Sequence, residues 1–147
     1  MVLSDYEYLE LVDKTAALSK DLSVGIGAVL VGPGGHLTNA CNELPRGVED
    51  RPERRERPAK YLFTEHAERA AIYDAARNGI STSGTILYTT GIPCADCARA
   101  VICAGIATVV VWKRGSGLEK TDRWYESIKA GEAMLREAGV QIVEVER

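Results

Sequence analysis

Two short motifs separated by twenty-four residues constrain this chain more than any other feature: His66-Ala67-Glu68 and Pro93-Cys94-Ala95-Asp96-Cys97. One imidazole and two thiols make a donor set suited to zinc, which takes nitrogen and sulfur ligands at tetrahedral positions. Three protein ligands leave a fourth position for water, as in catalytic rather than structural sites. Glu68 lies two residues beyond the His, near enough to handle protons there without ligating. Cys94 and Cys97, at i and i+3 on a first helical turn, share one face. The positive end of that helix favours thiolate over thiol. His66, Cys94 and Cys97 are therefore the candidate metal ligands, and Glu68 the candidate catalytic residue.

Each element has a plainer alternative. A C-x-x-C pair alone could be a redox dithiol, although that motif usually follows a thioredoxin-like strand and lacks a matching H-x-E. A structural zinc site would need a fourth ligand from Cys41, Cys103 or His36, none of which has a second partner at ligand spacing. Cys103 in mid-helix and Cys41 at a strand end read as small buried residues. His36, just after a turn, reads as exposed.

The 147 residues fit one domain able to bury a core, and 46% hydrophobic with 27% charged residues matches a globular chain. The N-terminal stretch lacks the basic start and apolar run of a signal peptide, and no segment has the apolar length of a membrane span. Four cysteines in such a chain suggest thiols or metal ligands before disulfides, so a cytoplasmic location is expected. A net charge of −3 argues against a nucleic-acid partner. That charge is uneven. Residues 46–60 carry Arg46, Arg51, Arg54, Arg55, Arg57 and Lys60 against Glu49, Asp50, Glu53 and Glu56, which is +2 there and −5 elsewhere. The segment reads either as a mixed-charge surface loop or as a loop that contacts an anion.

Around the motifs the pattern predicts a helix over 4–20, with Ser4 as N-cap and Glu7 in the capping-box position. A strand over 24–31, a Gly-Pro-Gly-Gly turn and a second strand to about Cys41 form a hairpin. Residues 42–62 read as a long loop with short helical turns. A helix over 65–78 stops at Asn78-Gly79, and Ala67, Ala70, Ala71, Ala75 and Ala76 keep it thin enough for a close neighbour. Next come a strand over 85–90, a helix over 94–104 with Pro93 in its first turn, and a strand over 107–112. Gly115-Ser116-Gly117 punctuates a loop before a helix over 122–138 and a last strand over 140–145. This alternation predicts an α/β sandwich around a mixed five-stranded sheet.

The H-x-E…P-C-x-x-C pair is the pattern of zinc-dependent nucleobase deaminases, and the chain resembles the cytidine and deoxycytidylate deaminase family over nearly its full length. Asn42-Glu43-Leu44-Pro45-Arg46-Gly47 is similar to the Asn-x-x-Pro-x-Gly segment of the deoxycytidylate branch, and Arg123-Trp124-Tyr125-Glu126-Ser127 with residues 134–140 is similar to its tail. The resemblance implies a three-layer α/β/α fold, Zn2+ as cofactor, and hydrolytic deamination of a cytosine-type amino group, dCMP to dUMP with release of ammonia. Glu68 would take the water proton and pass it to the ring nitrogen and then to the leaving ammonia. The resemblance further implies that Asn42 hydrogen-bonds the substrate sugar and that the Ala67 N–H meets the ring carbonyl. An Asx-turn is the plainer reading of Asn42. For a phosphorylated substrate, Arg46 and its cationic neighbours are the expected phosphate partners.

One departure keeps rivals open. Ala70 stands where the deoxycytidylate branch usually has Asn, which removes a hydrogen bond to sugar or base. The same chemistry on another small heterocycle (cytidine, deoxycytidine, guanine or an aminopyrimidine) is the alternative. An RNA adenosine deaminase and a non-enzymatic zinc or redox module are more distant. The expected partner is a small-molecule nucleotide, nucleoside or base, with no membrane contact, and the chain is expected to form a homo-oligomer.

Overall fold

The structure, a computed structural model, describes residues 2–115 and 118–147. The first helix, α1 (Asp5–Ala16), starts at the expected capping box: the Ser4 N–H donates to Glu7 Oε2 at 2.8 Å, and Ser4 Oγ accepts the Glu7 N–H at 3.2 Å. It ends four residues before the predicted limit. There Gly25 packs so close to the Ala16 carbonyl that a Cβ would stand 2.4 Å from it, and Asp21 accepts the N–H groups of Ser23 and Val24. Those N–H groups are committed to a turn, so β1 (Gly27–Gly32) starts three residues later than the pattern suggested.

β1 pairs antiparallel with β2 (Gly35–Cys41) as the predicted hairpin. The charged loop contains a 3-10 turn at Pro52–Arg55 and a short helix, α2 (Lys60–Phe63). Then follow α3 (Ala67–Arg77), β3 (Ile86–Thr89), α4 (Ala95–Cys103), β4 (Thr108–Trp112), α5 (Tyr125–Glu137) and β5 (Gln141–Val145). Pro93 precedes the N-cap Cys94 instead of entering the first turn of α4. α5 begins three residues late because Asp122 Oδ1 accepts the Trp124 N–H at 2.8 Å and so holds a separate turn ahead of the helix. Of the predicted Gly115-Ser116-Gly117 loop, residues 116 and 117 lie outside the described residues.

The sheet order is β2-β1-β3-β4-β5, with β1 antiparallel to both neighbours and β3, β4 and β5 parallel. This is the expected mixed five-stranded sheet. Strand alternation divides the core into two layers. Val29, Val31, Tyr88, Val110 and Trp112 face α1 and meet Tyr8, Leu9 and Val12. Ala28, Leu30, Leu87, Val109 and Val111 face the other way and meet Ala67, Ala71, Ala75, Ala98, Val101 and Leu135 from α3, α4 and α5. The alanines of α3 allow that closeness, because three of them are fully buried. Gly27 is needed where α1 crosses the start of β1, since a Cβ there would lie 2.3 Å from the Val12 carbonyl oxygen. Among the described residues no helix is long and apolar enough to cross a membrane.

Candidate active site

The parallel pair β3 and β4 directs the N-termini of α3 and α4 toward one another at the strand ends. His66 is the N-cap of α3 and Cys94 the N-cap of α4, and neither side chain caps its own helix. Both are free to point into the space between. His66 Nδ1 lies 3.5 Å from Cys94 Sγ and 3.3 Å from Cys97 Sγ. Tetrahedral zinc at ordinary bond lengths would set N···S at roughly 3.6 Å and S···S at roughly 3.8 Å. Among the described residues these three form the one cluster of its kind, with all donor atoms within 4.8 Å of one another. The set fits zinc.

Its electrostatics agree. Hydrogen bonding from Cys97, reinforced by His66, pulls the Cys94 thiol down to about 4 against the opposing effect of burial. The same Cys94 contact, with burial, pushes Cys97 up. His66 is raised chiefly by its hydrogen bond to Cys94. Two sulfurs in contact compete for one negative charge, and a divalent cation held there would favour thiolate at both.

The other candidates lie elsewhere. Cys41 ends β2 half-buried, and His36 is exposed and bonds Asn39 at 3.0 Å. Cys103 is exposed as the last residue of α4, which corrects its expected burial: it lies two residues beyond the buried Val101, on the other side of the helix.

Glu68 sits on the first turn of α3, 6% exposed, and its Oε1 accepts the Thr89 hydroxyl at 2.8 Å. Ala67, the first helical residue, presents an N–H that has no intrahelical acceptor. Asn42 is buried at the same cleft. Its Oδ1 accepts the Ile26 N–H at 2.8 Å and its Nδ2 donates to the Val24 carbonyl at 3.0 Å. Those bonds pin the 24–26 segment and are long-range, not an Asx-turn. Each polar atom of the amide keeps one further valence.

The cleft above these groups has a volume of about 810 Å³. Tyr61 and Trp124 form part of its wall, with the Trp124 ring 6.0 Å from His66 edge-to-face and 6.2 Å from Tyr61. Arg123 covers both rings and donates to Tyr61 Oη at 2.6 Å. The sequence marks Trp124 only as part of a similar tail and does not mark Tyr61. An aromatic residue in a charged loop offers no periodicity to mark it.

Arg46 does not line the cleft. Its guanidinium, 70% exposed, pairs with Asp74 at 3.3 Å on the outer side of α3. Arg51 pairs with Glu49, Arg55 with both Glu43 and Asp50, and Arg54 stacks on Phe63. Most of the loop is thus a mixed-charge surface. Arg57 and Lys60 alone of its six cations line the cleft, and Lys60 is tied at 3.1 Å to the buried carboxylate of Asp21.

A sheet covered on both faces, with a three-donor cluster that fits zinc and a buried carboxylate beside it, has the make-up of a zinc enzyme. Comparison with known proteins narrows the class. The sequence model of the cytidine and deoxycytidylate deaminase zinc-binding region matches residues 3–113, and the chain belongs to that family. It is 32% identical to an uncharacterized deaminase in the luxG 3′ region of Aliivibrio fischeri over 92% of this chain and 88% of that protein. It is 38% identical to the deoxycytidylate deaminase of Enterobacteria phage T2, over 54% of this chain and only 38% of the phage enzyme. The dCMP deaminase of cyanophage S-TIM5 shares the fold, with a TM-score of 0.75 at 24% identity over 96% of each chain; it was also solved in complex with dCMP and dUMP.

Proposed function

We propose that the chain deaminates dCMP to dUMP, water replacing the exocyclic amine of the cytosine ring and ammonia leaving. The observation that carries this reading is what lines one cleft: His66 and Cys94 of the zinc donors with Glu68, Asn42 and Ala67, and the cations Arg57 and Lys60. Bound at His66, Cys94 and Cys97, zinc supplies a water acidified toward neutral pH. Glu68 would accept one proton of the attacking water and deliver it to N3, then take the second from the oxygen added at C4 and pass it to the amine, which leaves as ammonia. Burial keeps its carboxylate away from competing solvent. The Ala67 N–H donates to the C2 carbonyl, and the remaining valences of Asn42 take a sugar hydroxyl. Tyr61 and Trp124 border the ring site with flat apolar surface.

Of the cations expected at the phosphate, Arg57 and Lys60 are the two that line the cleft, and they take it. Deoxycytidylate deaminases among the relatives, and the S-TIM5 enzyme solved with dCMP and dUMP, support the nucleotide. Ala70, half-buried on α3, favours the rival reading of a smaller aminated heterocycle. An ammonia-release assay against dCMP, deoxycytidine, cytidine, guanine and aminopyrimidines separates the two; activity confined to a free base would overturn dCMP. A water-soluble nucleotide and reduced thiol ligands fit the cytoplasm. The chain forms a homo-oligomer, which light scattering tests.

A further inference from the structure

Thr89 is the last residue of β3 and is fully buried. Its register places it opposite Ala28, and strand alternation sends its side chain, like that of Leu87, toward the α3 layer. A valine would suit that apolar position. Thr89 instead brings a hydroxyl to the first turn of α3, where Oγ1 lies 2.8 Å from Glu68 Oε1 and 3.0 Å from the Gly27 carbonyl oxygen. One hydroxyl proton faces two acceptors. The neighbouring Thr90 is committed differently, its Oγ1 accepting the Gly27 N–H at 3.0 Å.

We propose that Thr89 is a positioning residue for Glu68: its hydroxyl fixes Oε1 and so leaves Oε2 as the single oxygen that exchanges protons over the zinc site. This rests on the reading of Glu68 as the proton carrier. A carboxylate on a rotatable stem presents two equivalent oxygens. A buried donor held by strand register removes that freedom before substrate arrives, and proton transfer depends on heavy-atom distances of about 2.6–3.2 Å. The place of Thr89 in β3, opposite Ala28, fixes where that hydroxyl oxygen stands. Backbone and side chain together aim the carboxylate.

The test compares kcat, KM, zinc content and thermal midpoint for wild type, Thr89→Val, Thr89→Ser and Glu68→Gln on the best substrate of the panel. Thr89→Val, close in volume, should keep zinc, fold and KM, and lose kcat by about ten- to a hundred-fold, the worth of a hydrogen bond to a charged group. Thr89→Ser restores the donor and should recover most of kcat, even where the lost methyl lowers the thermal midpoint. Full kcat in Thr89→Val while Glu68→Gln is inactive would overturn the role of Thr89 and leave that of Glu68 standing. Thr89→Ser as slow as Thr89→Val would also overturn it, because packing would then account for the effect. Turnover retained by Glu68→Gln would instead remove the underlying reading.

Discussion

Ser127 Oγ accepts the backbone N–H of Ala95 at 3.0 Å, so a side chain of α5 caps the helix that carries two of the three zinc donors. The cap is external because Cys94 holds the N-cap position and turns its sulfur toward His66. Four residues along α5, Gly131 lies against the same segment: a Cβ there would stand 2.4 Å from the Pro93 carbonyl oxygen and 3.0 Å from the Cys94 carbonyl carbon. α5 is therefore a backing plate for the zinc motif, pressed to it at two points.

Loss of either point should loosen the metal site. Ser127→Ala removes one N-terminal acceptor and should cost about 0.5–2 kcal/mol, the range for a lost cap. Gly131→Ala should cost more, about 1–3 kcal/mol or above, because rigid backbone faces the new methyl. Thermal melts with and without a chelator measure both effects, and zinc retention should fall in Gly131→Ala first. A Gly131→Ala protein with unchanged melting and zinc affinity would contradict the close packing.

The purified protein should hold about one zinc per chain. Cys94→Ala or Cys97→Ala should abolish it, whereas Cys41→Ala and Cys103→Ala should keep it, since neither thiol joins the donor cluster. Elemental analysis of the four variants decides the assignment. Zinc loss in Cys103→Ala would refute it.

Glu68→Gln should keep zinc and fold and lose turnover by about 10²–10⁴-fold, the usual contribution of a general acid–base. Its amide can still accept from Thr89 but cannot carry a proton. Steady-state rates beside metal content give the answer, and near-normal turnover would exclude the mechanism.

The zinc donors were legible because a metal demands typed residues at fixed spacing, and helix starts deliver them whatever the loops between do. The sheet was legible for a similar local reason, alternation of small and β-branched residues between turn signals. Three features were not. The partner of Arg46 is Asp74, twenty-eight residues away, which its place in a motif does not show. Thr89 looked like one more β-prone residue, because only the packing of α3 on β3 reveals what its hydroxyl meets. Ser127 and Gly131 meet Ala95 and Cys94 through contacts that cross more than thirty residues of chain, and nothing periodic announces them.

The proposed phosphate partners, Arg57 and Lys60, can be told apart from Arg46 by kinetics. If dCMP is the substrate, a charge-assisted contact to its phosphate contributes roughly 1.5–3 kcal/mol, or about one to two decades in kcat/KM over deoxycytidine. Arg57 is the better single target. It lines the cleft, and among the described residues no carboxylate pairs with it, whereas Lys60 shares a buried ion pair whose loss would strand Asp21. Arg57→Ala should therefore erase most of the preference for the phosphorylated substrate and leave turnover of deoxycytidine intact. Arg46→Ala, which frees only the exposed Asp74 contact, should leave the preference in place. Raising salt should narrow the gap between the two substrates in wild type and hardly change it in Arg57→Ala, since screening acts on a contact that the variant lacks. Kinetics on both substrates at two ionic strengths decide the matter. A preference lost in Arg46→Ala and kept in Arg57→Ala would return the phosphate to the outer side of α3.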